Sequence, residues 1–196
     1  MQETTGGSRW IGDNFGEKCS LVAPTAGDRA ALLALSARTG VFSSEEVATV
    51  AELLDVYLGR PDHGGYCFLT YREGAQLLGF ACYGPTPLTR GVYDLYWIAV
   101  DPQAQGRGIG SLLLGRVEAD VQARGGRMIV VQTSGRPDYT RSRCFYERHG
   151  YSRVAQVDDY YAPGDALVVY CKRLNGRGEG PHPLPLSHTA GEGSEG

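Results

Sequence analysis

The segment Val100-Asp101-Pro102-Gln103-Ala104-Gln105-Gly106-Arg107-Gly108-Ile109-Gly110-Ser111 carries the clearest chemical potential in the chain. An apolar run ends at Val100, and a stretch with Ile109, Leu113, Val117 and Val121 at i, i+4 spacing begins among the glycines. That pattern predicts a strand, a glycine turn and a helix. The first N–H groups of a helix have no intrahelical partner, and the helix dipole adds positive potential there. Glycines let the backbone approach an anion with no Cβ in the way, so the segment suits a phosphate, with Gln105 and Arg107 as further donors. The alternative is a glycine-rich turn that holds no ligand. A Walker loop needs Gly-Lys-Ser/Thr, which the sequence lacks. The dinucleotide fingerprint Gly-x-Gly-x-x-Gly also fails, because its last position falls on Ser111 or Leu113. The pattern that fits is Gln-x-x-Gly-x-Gly, met by Gln105, Gly108 and Gly110.

The elements that must position this loop can be read from periodicity. Lys18 to Ala23 predicts a strand, and Asp28 an N-cap for a helix over Arg29 to Arg38. Ser43 and Glu46 form a capping-box signal for a helix bearing Val47, Val50, Ala51, Leu54 and Leu58. Tyr66 to Tyr71 and Leu77 to Tyr83 predict a hairpin turning at Arg72-Glu73-Gly74, and Val92 to Val100 a long strand. Ile109 to Arg124 is a helix stopped by Gly125-Gly126, Met128 to Thr133 a central strand, and Thr140 to His149 a helix closed by Gly150. Ser152 to Val157 and Ala166 to Lys172 finish as strands around an Asp- and Gly-rich turn. The expected class is a mixed α/β layered fold spanning residues 17–174. Residues 1–16 read as a flexible arm. Residues 175–196, with six glycines, three prolines and few large apolar side chains, read as a disordered tail.

Composition narrows the function. The 196 residues carry a net charge of −3, which offers no basic excess to hold a phosphate backbone, so nucleic-acid binding is not expected. No run approaches the ~20 apolar residues of a membrane span, and residues 1–16 lack a signal-peptide pattern. The five cysteines are scattered, with no metal-ligand spacing, which predicts neither a disulfide framework nor a metal site and fits a reducing cytoplasm. His63 reads as a loop histidine, His149 as a complement to a helix C-terminus, and His182 and His188 as solvated tail residues.

The glycine segment resembles the acetyl-CoA loop of the GNAT superfamily of N-acetyltransferases. Cys144-Phe145-Tyr146-Glu147-Arg148-His149-Gly150-Tyr151 resembles the same family's Phe-Tyr-x-x-x-Gly-Phe/Tyr signature, in the right order and with one strand between the two. The resemblance covers about 17–174 and implies a mostly antiparallel mixed sheet with a splayed strand and helices on both faces. Acetyl-CoA becomes the implied co-substrate, and no metal is implied. Main-chain groups of Ile98, Ala99 and Val100 would pair with the pantetheine arm, with the Val100 amide polarising the thioester carbonyl. Gln105, Gly106, Arg107, Gly108, Ile109, Gly110 and Ser111 would hold the pyrophosphate. Tyr146 would protonate the leaving thiolate, while Phe145 would face the core; the plainer alternative makes Tyr146 a packing aromatic. Asp94 aligns with the family's glutamate base, and either takes that role or only binds the acceptor's positive charge. Thr133-Ser134 departs from the asparagine of many members. Strand alternation would put Asp94, Tyr96 and Ile98 on one face and Tyr93, Leu95 and Trp97 on the other. Phe42, Glu45 and the stretch from Asp158 to Asp165 would face the acceptor.

The activity so implied is direct acetyl transfer, in a ternary complex, to a small-molecule or protein amine. The alternative is a non-catalytic CoA-binding module of the same fold, and a nucleotide-binding protein is a third reading. A homodimer is compatible with the sequence, which does not identify the acceptor.

Overall fold

The computed structural model describes residues 19–60 and 62–174, so the expected arm and tail lie outside the described residues. Seven strands form one sheet: β1 (Cys19–Val22), β2 (Cys67–Glu73), β3 (Gln76–Pro85), β4 (Val92–Val100), β5 (Met128–Ser134), β6 (Ser152–Ala162) and β7 (Asp165–Arg173). Their order is β1-β2-β3-β4-β5-β7-β6. β4 and β5 pair in parallel, and every other neighbouring pair is antiparallel.

Among the described residues, four α-helices cover the sheet: α1 (Arg29–Arg38), α2 (Ser44–Gly59), α3 (Ile109–Ala123) and α4 (Thr140–Arg148). α1 and α2 lay Leu32, Leu35, Val50, Leu54 and Tyr57 on one face, against Phe68, Leu77, Phe80, Cys82 and Ala99. α3 and α4 bring Ile109, Leu113, Val117, Val121 and Tyr146 to the other, against Leu78, Ala81, Leu95, Ile129 and Val131. β3 alternates between the two cores and is buried from Leu77 to Gly84, as a strand covered on both faces must be. Each fully buried Leu or Phe contributes roughly 1.5–3 kcal/mol, so the facing stripes hold the layers together.

Local signals set the helix ends. Ser43 Oγ accepts from the Glu46 N–H at 3.1 Å, and Glu46 returns a carboxylate oxygen to the Ser43 N–H at 2.8 Å. The buried stripe of α2 takes in the expected Val50 and Leu54 and adds Tyr57, with the expected Leu58 partly buried beside them. Asp28 does not cap α1 with its side chain. Its carboxylate accepts from the Thr25 N–H and hydroxyl, at 2.8 and 3.0 Å, and pairs with Arg72, because a short 3-10 turn precedes the helix.

The segment expected as an acidic turn before the last strand instead continues β6 to Ala162. β6 is an edge strand with every residue exposed, so no core demands an apolar face and Asp158-Asp159 fit within it at an irregular register. All five cysteines are free thiols. No helix among the described residues is long and apolar enough to cross a membrane.

The turn from α3 into β5 tolerates no added bulk. A Cβ on Gly126 would lie 2.3 Å from Val121 Cγ1 and 2.7 Å from the Val121 carbonyl oxygen. Gly126→Ala should therefore destabilise the protein by about 1–3 kcal/mol, read as a lowered urea midpoint with little change in slope.

Candidate active site

β4 is bonded to two neighbours along its first half and to one along its second. The parallel pairing with β5 runs from Val92–Met128 to Leu95–Val131 and then stops, while β3 stays paired with β4 to Val100. Beyond that point β5 pairs with β7 alone. β4 and β5 thus splay apart, leaving one edge of β4 open.

The parity of the β3–β4 ladder decides which main-chain groups face the opening. The Asp101 N–H donates to the Leu78 carbonyl at 2.8 Å. Alternation along an antiparallel ladder then aims the N–H and C=O of Ala99 at Phe80, and those of Ile98 and Val100 away from β3, into the splay. The main chain of Ile98 and the Val100 N–H therefore face the opening, where the Val100 carbonyl meets the Gln105 amide, whereas the main chain of Ala99 is spent on β3 and its side chain packs in the core under α1 and α2.

A register shift between Cys82 and Tyr83 marks a bulge at Tyr96. It also overturns the expected face assignment. Tyr96, Trp97 and Ala99 pack on the α1/α2 side, whereas Tyr93, Leu95, Ile98 and Val100 pack on the α3/α4 side. An extra residue in the strand flips the alternation after it, so Ile98 shares a face with Leu95 rather than with Asp94 and Tyr96.

The loop after β4 is anchored before it reaches the glycines. Asp101 is buried, accepts from the Gln103 N–H at 3.0 Å, and pairs with Arg38 of α1 at 2.9 Å. The Gln103 N–H and then the Arg38 guanidinium hold its carboxyl below the usual aspartate range. Gly106 and Gly108 have φ of +80° and +83°, left-handed conformations that L side chains rarely adopt. Gly108 caps α3, so the N–H groups of Gly108, Ile109, Gly110 and Ser111 have no intrahelical acceptor, and no carbonyl elsewhere among the described residues takes them. An added Cβ at Gly106 or Gly108 would meet no protein atom within 4 Å, so the space over the helix mouth is open.

The flanking side chains expected to donate into this mouth are engaged within the protein. Gln105 Nε2 donates to the Val100 carbonyl at 3.3 Å, and Arg107 pairs with Glu73 at 2.5 Å. Ser111 Oγ lies 2.9 Å from His149 Nε2. The cradle is therefore chiefly a main-chain one.

α4 packs against it. A Cβ on Gly110 would sit 3.4 Å from the Phe145 ring and 3.8 Å from Val100 Cγ2, so Val100, Gly110 and Phe145 are contiguous. Phe145 is half-buried and packs against the α3/α4 core, and Tyr146 is buried more deeply, its ring against Phe145, Tyr151 and Tyr170. Burial, with no neighbouring charge contributing, pushes the Tyr146 phenol well above the ordinary tyrosine range.

Asp94 accepts from the Thr86 hydroxyl at 2.8 Å. It points to the α1/α2 side, since its neighbours Tyr93 and Leu95 pack on the other, and Tyr146 lies on that other side. Burial, then the charge of Asp94, pushes the Tyr96 phenol up to about 12. Farther along the opening, the Tyr139 hydroxyl donates to the Val41 carbonyl at 3.2 Å, tying the β5–α4 connection to the α1–α2 loop. Burial, then the charge of Glu46, pushes that phenol up to about 12. Burial raises Tyr161 too, with contributions from Tyr160, Asp165 and Glu46. Glu46, Asp165, Tyr139 and Tyr161 thus form one acidic, aromatic quarter, of which sequence reasoning had singled out the stretch from Asp158 to Asp165. It took Glu46 only as a cap and missed Tyr139. Among the described residues, no cluster of His, Cys, Asp and Glu could hold a metal ion.

Comparison with known proteins agrees with this geometry. Residues 31–151 match the family model described as acetyltransferase (GNAT) family. The chain is 30% identical to a mycothiol acetyltransferase of Beutenbergia cavernae over 76% of this chain and 49% of that protein. It is 37% identical to the N-alpha-acetyltransferase RimI of Mycobacterium tuberculosis over 54% of this chain and 64% of that protein. It thus spans about half the length of the first relative and under two thirds of the second. Among solved structures, a GNAT-family protein from Desulfovibrio desulfuricans superposes with a TM-score of 0.78 and 38% identity, over 80% of this chain and 99% of that one. The protein yncA of Salmonella typhimurium, solved with its cofactor acetyl-CoA, shares the fold at a TM-score of 0.64 and 16% identity, over 87% of this chain and 99% of that one. The chain belongs to the GNAT family of acetyltransferases.

The Asp101 anchor is testable apart from any ligand. Asp101→Ala leaves the Gln103 N–H and Arg38 without their acceptor and should cost about 1–3 kcal/mol at pH 7. A carboxyl held below its ordinary value adds stability that is present above the unfolded pKa of ~3.9 and lost as pH falls through the folded one. Urea midpoints of the wild type and Asp101→Ala should therefore differ at pH 7 and converge below about pH 4.

Proposed function

We infer that this chain is an acetyl-CoA-dependent N-acetyltransferase acting by direct transfer to a primary amine. One observation carries the reading: the open edge of β4, with the outward main chain of Ile98 and Val100, runs directly into the unpaired N–H groups at the head of α3. The open edge suits the amides of a pantetheine arm, and the helix mouth suits a diphosphate. When bound, acetyl-CoA supplies an activated acetyl thioester. The family membership and the fold shared with a structure solved with acetyl-CoA support this choice.

The chain's own groups divide the work. The outward Val100 N–H is the donor for a developing oxyanion. Tyr146 keeps its proton at every working pH and holds it for the leaving thiolate. Burial that disfavours the phenolate also disfavours a thiolate beside it, so the two stay matched for transfer. Asp94, on the opposite face, orients the acceptor ammonium, whose proton passes outward through water. Donor and acceptor thus enter from opposite faces and meet in the splay.

The acidic, aromatic quarter around Glu46, Asp165, Tyr139 and Tyr161 suits a cationic amine, on a small molecule or at a polypeptide N-terminus or lysine. The curated relatives are named as a mycothiol acetyltransferase and an N-alpha-acetyltransferase. The free cysteines fit action in a reducing cytoplasm.

A thiol-release assay over an amine panel tests the reading. Turnover with at least one amine is expected, and CoA binding with no release for any acceptor would leave a non-catalytic CoA-binding module. Tyr146→Phe should lower kcat by about 10²-fold with a much smaller change in KM. An unchanged rate across the pH range would remove the acid role and leave a packing aromatic. Gly108→Val forces a β-branched residue into a left-handed conformation costing at least ~1–2 kcal/mol, and should weaken acetyl-CoA binding tenfold or more by calorimetry.

A further inference from the structure

His149 closes α4 and reaches across to α3. Its Nδ1 lies 2.7 Å from the Phe145 carbonyl oxygen and its Nε2 lies 2.9 Å from Ser111 Oγ. A carbonyl only accepts, so Nδ1 carries a hydrogen in either charge state. In the neutral ring Nε2 is then bare, and the Ser111 hydroxyl must donate to it. Ser111 is the third residue of α3, and its own N–H is one of the four unpaired donors of the cradle. The neutral ring therefore draws the hydroxyl hydrogen away from the helix mouth and leaves lone pairs on an oxygen beside an anion site. In the protonated ring Nε2–H donates to Ser111 Oγ, the hydroxyl hydrogen is released toward the mouth, and a positive charge is added next to it.

We propose that His149 is a positioning residue that couples diphosphate binding at the head of α3 to uptake of one proton, with Ser111 as the relay. The coupling rests on the cofactor reading above. The proton comes from solvent and ends on His149 Nε2; no other bond is made or broken. The ring packs against Phe145, whose ring centroid is 4.3 Å away and which lies over Gly110 of α3.

The charged groups on the elements packed around His149 are already engaged. On α4, Glu147 accepts from the Tyr170 hydroxyl and Arg148 donates to the Cys144 carbonyl. On α3 and β7, Glu118 and Lys172 form an ion pair at 2.7 Å, and Arg116 lines a separate cavity at the far end of the sheet. In the loop before α3, Arg107 pairs with Glu73, and on β6 Arg153 bonds to Gln156. Both bonded partners of the imidazole are uncharged, so a bound diphosphate would set a negative charge beside a ring whose direct partners carry none.

Calorimetry of the full chain with dephospho-CoA tests the coupling, since that ligand lacks the 3′-phosphate monoester, a group of a kind that titrates near pH 6. Titrations at pH 7 in buffers of differing ionisation enthalpy should show net proton uptake. Affinity should tighten about tenfold from pH 8 to pH 5.5, across the imidazole range. His149→Gln should bind with no uptake and a flat pH profile. Ser111→Ala, a small exposed change that removes only the relay, should keep the fold and show a smaller pH effect than the wild type. Binding without proton uptake in the wild type, or undiminished pH dependence in Ser111→Ala, would overturn the coupling and leave the cofactor reading standing. No binding of dephospho-CoA or acetyl-CoA at any pH would overturn both.

Discussion

Every main-chain N–H and C=O taken from water needs a partner, and the central fact of this protein is a strand that is denied one. β4 keeps β3 along its whole length but loses β5 after Leu95. Leaving such groups unmet costs about 1–3 kcal/mol each when buried. An open edge in the middle of a sheet is therefore stable only where water or a ligand reaches it. The bulge at Tyr96 lies just where the two strands part, and bulges bend a strand and raise its twist. The same extra residue turns Ile98 and Val100 to the α3/α4 side, so one local irregularity sets both the opening and the direction of the groups that line it.

The glycine loop and the head of α3 depend on the sheet in turn. α3 begins where it does because Asp101 ends β4 in a tight hydrogen-bonded turn and is locked to Arg38 on the opposite layer. The ion pair joins the two faces of the protein at the root of the glycine loop. The glycines beyond it supply conformation rather than room: left-handed backbone at Gly106 and Gly108 points successive N–H groups into open space. Arg107, which by type would be a phosphate ligand, is instead turned to Glu73 and ties the loop to the β2–β3 hairpin.

On the other side of the splay the charge changes sign. A main-chain positive end at α3 and an acidic, aromatic quarter around Glu46 and Asp165 suit an anionic donor and a cationic acceptor respectively. The bridge from Tyr139 to Val41 spans this quarter and holds the α1–α2 loop against the end of β5. Tyr146 and Asp94 look to opposite faces of the sheet, on either side of the splay between β4 and β5.

Much of this was legible in one dimension. Strand and helix periods depend on neighbours a few residues apart, so α1 and β4 have their expected limits, and the Ser43–Glu46 capping box forms as its spacing implies. The strand–glycine–helix order marked the cradle because left-handed turns and helix starts are local events. Other features depend on contacts between distant segments, and no local pattern could reveal them. The bulge that reversed the face of Ile98 is a mismatch between two strands, and the parity that withdraws Ala99 from the opening is set by its pairing with β3. The deeper burial of Tyr146 than of Phe145 follows from how α4 settles on α3, and the prolonged β6 is allowed by its place at the sheet's edge. His149 and Ser111 are 38 positions apart and touch because α4 packs across the start of α3. Short-range backbone preference wrote the parts of this protein; long-range packing chose which of their polar atoms were left to act.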